Sequence, residues 1–95
     1  MHKWPNKDPD EVLDYQFDWS LRLADGETIS TSQMILEDGT VTIDSATFSG
    51  GLTTVWLSGG TVDDVNIITN RVVTSESRTY DESARVRIRH SYRGS

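Results

Sequence analysis

The chain has 95 residues and a formal net charge of −6, values that fit one domain and lack the basic excess of a general nucleic-acid binder. It contains no cysteine, which excludes disulfides and zinc–thiolate sites, and no apolar run approaches the roughly 18 residues of a membrane span. Residues 1–5 lack the apolar core of a signal peptide. Abundant Thr, Ser, Val and Ile favour strands over helices.

The pattern divides the chain into three parts. Residues 1–12 predict a flexible N-terminal arm, because Pro5 and Pro9 limit backbone hydrogen bonding and most of their neighbours are polar. Residues 13–90 predict the folded β domain. Residues 91–95 predict a disordered tail.

The first strand of the domain shows the clearest alternation. Tyr15, Phe17 and Trp19 share one face, whereas Asp14 and Asp18 share the other. The aromatic side chains are therefore expected to pack in a core.

Further period-two segments follow, separated by turn residues. We expect Ile29, Val41, Val55 and Leu57 to be core residues. Asp38-Gly39 is a strong signal for a hairpin between the strands on either side of it. These further strands are predicted over residues 28–36, 41–48, 53–58, 65–74 and 79–89.

The last two strands allow a prediction of register. If Val65 faces Ile88, then Ile67 faces Val86 and Val73 faces Tyr80, so that apolar residues meet on one inner face. A shift by one residue would place an arginine opposite Val65.

About six to seven antiparallel strands with regularly spaced turns predict an all-β fold, an immunoglobulin- or fibronectin-III-like β-sandwich. The chain lacks the Cys-Trp-Cys set of antibody domains. A small barrel is the alternative architecture.

A search for catalytic chemistry finds no candidate site. His2 and His90 lie outside the predicted strands, and no serine occupies a Gly-x-Ser-x-Gly turn. Asp63-Asp64 lacks the further ligands of a cation loop, and Gly59-Gly60-Thr61 lacks the lysine of a phosphate loop. We therefore expect no catalytic residues, no metal, no cofactor and no small-molecule substrate.

The charge distribution indicates a candidate interface. Residues 71–95 carry six arginines and three acidic groups, although the chain as a whole is acidic. Arg85, Arg87 and Arg89 recur every second residue and share one strand face. This stripe is interpreted as a solvated or protected edge, as a protein interface, or, with less support, as a nucleic-acid contact. Trp4, in the arm, is a second candidate contact that could order on docking.

The order and spacing of several phrases resemble a known family. They are Lys7 to Tyr15, Asp18-Trp19, Leu23 to Ile29, Thr53 to Thr61, Thr69 to Arg71, Arg78 to Asp81 and Arg85 to Arg89. Together, over residues 7–89, they resemble small tailed-phage and prophage proteins described as fiber-tail adaptors.

This resemblance implies a non-enzymatic virion structural protein, made in the cytoplasm of the bacterial host. Its expected partners are other phage tail or fibre proteins, with no nucleic-acid or membrane partner. The alternative is a carbohydrate-binding module for host adhesion, which exposed aromatic residues would favour. Burial of Tyr15, Phe17, Trp19 and Trp56 would count against that alternative.

Overall fold

The β-rich composition and the period-two alternation produce seven strands within residues 1–90, the part of the chain that the computed structural model describes. No helix occurs among these residues. The predicted tail, 91–95, lies outside the described residues. The strands are β1 (His2–Lys3), β2 (Leu13–Asp18), β3 (Ile29–Asp38), β4 (Val41–Ser49), β5 (Leu52–Gly59), β6 (Val65–Thr74) and β7 (Thr79–Arg87).

The strands form two sheets, which confirms the predicted all-β sandwich. The four-stranded sheet has the order β1-β7-β6-β3, and the three-stranded sheet has the order β2-β5-β4. All pairings are antiparallel except the short β1–β7 pairing, which is parallel. Since the two sheets are separate, residues 1–90 do not form the alternative small barrel.

The hydrophobic core lies between the sheets. The expected aromatic face of β2 is confirmed, because Tyr15, Phe17 and the adjacent Trp19 are all buried. β5 and β7 contribute the alternate residues expected to face inward. The full core comprises Trp4, Tyr15, Phe17, Trp19, Ile29, Val41, Val55, Leu57, Ile68, Val72, Ala84, Val86 and Ile88.

The predicted register of β6 against β7 is wrong by one residue. Val65 faces Arg87 instead of Ile88, and Ile67 faces Arg85 instead of Val86. The inward side of β7 was predicted correctly, but β6 turns the opposite face to the core. Its buried residues include Asn66 and Asn70, whose side-chain oxygens accept hydrogen bonds inside the protein.

The predicted hairpin at Asp38-Gly39 is also wrong. β3 pairs with β6 and β4 pairs with β5, so this turn carries the chain from one sheet to the other. The buried Asn66 side chain secures the crossing, because its Oδ1 accepts hydrogen bonds from the backbone N–H groups of Thr40 and Val41, at 2.6 and 3.0 Å. Gly39 has a φ of 122°, and a Cβ there would collide with the Asn66 side chain.

A buried polar network joins the two sheets around Asn70. The Asn70 Oδ1 accepts hydrogen bonds from the Trp19 indole N–H at 2.9 Å and the Thr53 hydroxyl at 2.6 Å. Its Nδ2 donates to the Ser32 hydroxyl at 2.9 Å and to the Gln33 carbonyl at 3.0 Å. The amide therefore uses both of its ends, which is why a polar residue is tolerated in this core.

The N-terminal segment packs against the sandwich, although the sequence predicts a flexible arm over residues 1–12. The Trp4 ring stacks on Tyr15 with ring centres 4.7 Å apart and meets Phe17 edge to face at 4.9 Å. The backbone N–H groups of Trp4 and Lys7 donate to the carbonyls of Arg85 and Arg87. Burial of an indole and these backbone bonds together hold residues 2–7 along β7.

Candidate protein-binding face

The three arginines of the predicted stripe lie together on the outer face of the four-stranded sheet. Arg85 and Arg87 are on β7. Arg89 lies two residues beyond its end, where its backbone N–H donates to the Lys7 carbonyl. The intervening residues point into the core, so that all three guanidinium groups remain exposed. The recurrence of arginine at every second residue therefore predicted that these side chains share one face of the strand, and they do.

The same face contains a shallow cavity of about 300 Å³. It brings both predicted candidates, the stripe and Trp4, to one location, although the two are separated by about eighty residues of chain. Trp4 is only 8% exposed, so it contributes an edge of the cavity while its ring belongs to the core. The lining residues are Lys3, Trp4, Asn6, Val65, Arg85, Arg87 and Arg89. We call this surface, with the adjoining Ile67, the arginine face.

The charges of the arginine face are mostly unneutralised. Within residues 1–90, the guanidinium groups of Arg85 and Arg87 have neither an ion pair nor a hydrogen bond. Arg89 lies 3.7 Å from Asp63, and both of these side chains are more than half exposed. Such exposed pairs are weak in water. The face therefore offers free guanidinium donors to a carboxylate-bearing partner.

Apolar side chains lie directly beside these arginines. Val65 is 39% exposed and faces Arg87, and Ile67 is partly exposed and faces Arg85. Sequence reasoning missed them because the register prediction placed both residues in the core. The cue in the sequence was that β6 carries branched apolar residues on both of its faces. Apolar groups among arginines are typical of the centre of a protein interface.

The outer face of the three-stranded sheet has the opposite charge. Its strands contain Asp14, Asp18 and Asp44, and they contain no lysine, arginine or histidine. Trp56 is 39% exposed and lies opposite Asp14 in the sheet. The backbone N–H and hydroxyl of Ser20 bond Asp18 and lower the pKa of its carboxyl, which keeps it ionised. We call these three aspartates and Trp56 the aspartate face.

The carbohydrate-binding alternative loses most of its aromatic platform. Tyr15, Phe17 and Trp19 are buried, and their burial counts against the carbohydrate-binding alternative. Trp56 alone of the four aromatics is exposed. A single indole gives one stacking surface, whereas a row of exposed rings was the feature that would have favoured sugar binding.

Two buried charges stabilise loops and take no part in a reactive cluster. The Lys7 ammonium donates to the carbonyls of Asp8 and Gly59, at 2.8 and 2.7 Å. Burial lowers the pKa of Lys7, although the acidic groups around it, first Glu11, act in the opposite direction. The lysine thereby links the N-terminal segment to the end of β5.

Glu27 also stabilises a loop, because it links the segment before β3 to the β6–β7 turn. Its carboxylate accepts hydrogen bonds from the Thr74 hydroxyl at 2.6 Å, the Ala24 backbone N–H at 2.9 Å and the Arg78 guanidinium at 3.2 Å. These partners, chiefly Thr74, lower the pKa of Glu27 despite its burial. Every contact is structural, and none leaves a reactive oxygen facing a cavity.

The described residues contain neither a metal-binding cluster nor a membrane-spanning helix. Nowhere in residues 1–90 do three or more potential metal-binding side chains come together. Over the same range, no helix is long and apolar enough to cross a membrane.

The fold and its surfaces define a small β-sandwich domain with one basic and one acidic outer face. Residues 7–87 match the family described as Podophage GP4 fiber-tail adaptor protein gp77. The match covers most of the chain, and the chain therefore belongs to this family of phage structural adaptors. The match also confirms the resemblance seen in the sequence. No curated protein gives a significant match.

Proposed function

We propose that this protein is a non-enzymatic component of the phage particle that links other tail or fibre proteins by binding them through its arginine face. Family membership supports the structural role and a location in the virion. The observation that supports the face is that the guanidinium groups of Arg85 and Arg87 have no partner among residues 1–90 and lie beside the exposed Val65.

The chemistry of this face favours a carboxylate-bearing protein surface as the partner. Arginine presents planar, multiple donors that match carboxylates in two-point contacts. Val65 and Ile67 add apolar area that becomes dry when a partner covers it. A rigid sheet holds all these groups in fixed positions, which lowers the entropy lost on binding.

The test is incorporation of an Arg85→Glu/Arg87→Glu variant into particles. Where a partner buries these groups, losing them costs about 2–5 kcal/mol, equivalent to roughly a 30-fold or greater loss of affinity. We expect the variant to fold normally by circular dichroism and thermal melting, yet to be strongly depleted from purified particles by quantitative mass spectrometry.

A matched control adds two carboxylates elsewhere. Thr47→Glu/Ser49→Glu places them on β4, in the other sheet, where both side chains are exposed. This variant should be incorporated at the wild-type level. Normal incorporation of the Arg85→Glu/Arg87→Glu variant would overturn the proposal and leave the stripe as charge protection of a sheet edge.

A further inference from the structure

The two outer faces of the sandwich are complementary to each other, and they lie on opposite sides of the molecule. The arginine face carries Arg85, Arg87 and Arg89 together with Lys3. The strands behind the aspartate face carry three aspartates and no basic residue. Because the core separates the faces, one molecule cannot neutralise its own charges by bringing them together.

The charges on the two faces also have matching spacing. Arg85 and Arg89 are four residues apart in extended backbone, about 14 Å at 3.4 Å per residue. Asp14 and Asp18 are four residues apart on β2, which gives the same separation. When β2 of one molecule lies over β7 of another, in either direction, both end charges can therefore pair at once.

Each face also has an exposed apolar group next to a charge. Val65 lies beside Arg87 in the four-stranded sheet, and Trp56 lies beside Asp14 in the three-stranded sheet. Both apolar residues are 39% exposed. Stacking of the two sheets at the usual separation of about 10 Å would cover these groups and remove water from the adjacent ion pairs.

We propose that the arginine face of one molecule binds the aspartate face of a second copy of this chain, so that copies associate head to tail. This inference builds on the proposed function, since it names a partner for the same arginine face. Two different faces on opposite sides make the contact heterologous, and such contacts generate rings or open chains instead of closed two-fold dimers. An open chain of copies then has one free arginine face at one end and one free aspartate face at the other.

The experiment measures the mass of the purified full-length chain by sedimentation or light scattering, over a range of concentration and salt. We expect association that increases with concentration and weakens by tenfold or more between about 50 and 500 mM salt, where screening shortens the reach of charges. Arg85→Glu/Arg87→Glu and Asp14→Arg/Asp18→Arg should each reduce self-association at least tenfold.

Mixing the two variants gives the decisive result. The first variant loses the basic excess of its arginine face and keeps its aspartate face, whereas the second variant carries arginines on both faces. An equimolar mixture should therefore form mixed complexes with an affinity within about tenfold of the wild type, while each variant alone stays monomeric. The neutral variant Asp14→Asn/Asp18→Asn replaces the arginine variant if the latter fails to fold, and it should also weaken self-association.

Three results would overturn the inference. The wild type could remain monomeric at millimolar concentration and low salt, the mixture could form no complex, or the asparagine variant could associate as strongly as the wild type. None of these affects the incorporation test. A monomeric protein whose Arg85→Glu/Arg87→Glu variant is lost from particles keeps the proposed function and assigns the arginine face to a different virion protein.

Discussion

Replacing Asn70 with leucine should strongly destabilise the protein, because the amide is the common acceptor for two buried donors. Asn70, Trp19 and Thr53 are all fully buried, so neither the indole N–H nor the threonine hydroxyl can turn to water. Each orphaned donor costs about 1–3 kcal/mol, which gives about 2–6 kcal/mol for the pair. The free energy of unfolding of such a domain is about 5–14 kcal/mol.

Urea unfolding, followed by fluorescence or circular dichroism, measures this loss as a lower midpoint at unchanged slope. Adding Thr53→Val to Asn70→Leu removes one of the orphaned donors and should recover about 1–2 kcal/mol of the loss. Arg71→Ala, at the next residue but facing outward, serves as the control and should shift the midpoint little. A loss below about 1 kcal/mol for Asn70→Leu, or fully additive effects of the two substitutions, would refute the argument.

Three further substitutions test other parts of the structure. Trp4→Ala should cost about 3–5 kcal/mol in urea unfolding, because it empties the site against Tyr15, whereas a detached arm would make it neutral. Gly39→Ala should cost about 2 kcal/mol or more in the same assay, since its Cβ would meet Asn66 at a positive φ. Glu27→Gln should destabilise the protein at neutral pH. The folded pKa of Glu27 lies below its ordinary value of 4.5, so the carboxylate stabilises the protein above that pH. Thermal melts from pH 7 to 3 should show the wild-type advantage disappearing as the pH falls through the folded pKa.

Each of these variants has a matched control. Leu21→Ala, at a side chain 99% exposed, should change stability by no more than about 0.5 kcal/mol. Gly26→Ala is also at a positive φ, 79°, but no atom lies within 4 Å of the new Cβ, so it should cost less than Gly39→Ala. Glu76→Gln, in an exposed turn, should melt like the wild type at every pH. Equal losses in a variant and its control would contradict the corresponding structural argument.

The sequence predicts the strands well because alternation is a local property. β6 begins and ends at the predicted residues, and β7 begins at the predicted residue. Which face of β6 is buried could not be read locally, because Val65 and Ile67 compete with Ile68 and Val72 for the core. The outcome depends on Asn70 reaching partners on three other segments, and those contacts exist only in the folded chain.

Part of the candidate site also follows from local sequence, and part depends on contacts between residues far apart in the chain. The common face of Arg85, Arg87 and Arg89 follows from period two alone. The contribution of Lys3 and Trp4 to that face depends on the N-terminal segment lying along β7. Segments rich in proline and charge carry little signal for such pairing. Burial of Lys7 also requires the Gly59 carbonyl, more than fifty residues away in the chain.

The three tryptophans occupy three different environments, and this gives the protein an intrinsic optical reporter. Trp19 is fully buried and hydrogen-bonded, Trp4 is stacked in the core, and Trp56 lies half open on the aspartate face. A neutral quencher such as acrylamide should therefore reach mainly the Trp56 indole. A partner that covers the aspartate face would protect this emission, whereas one seated only on the arginine face would leave it quenchable. Unlabelled protein can thus show by fluorescence which side of the sandwich is occupied.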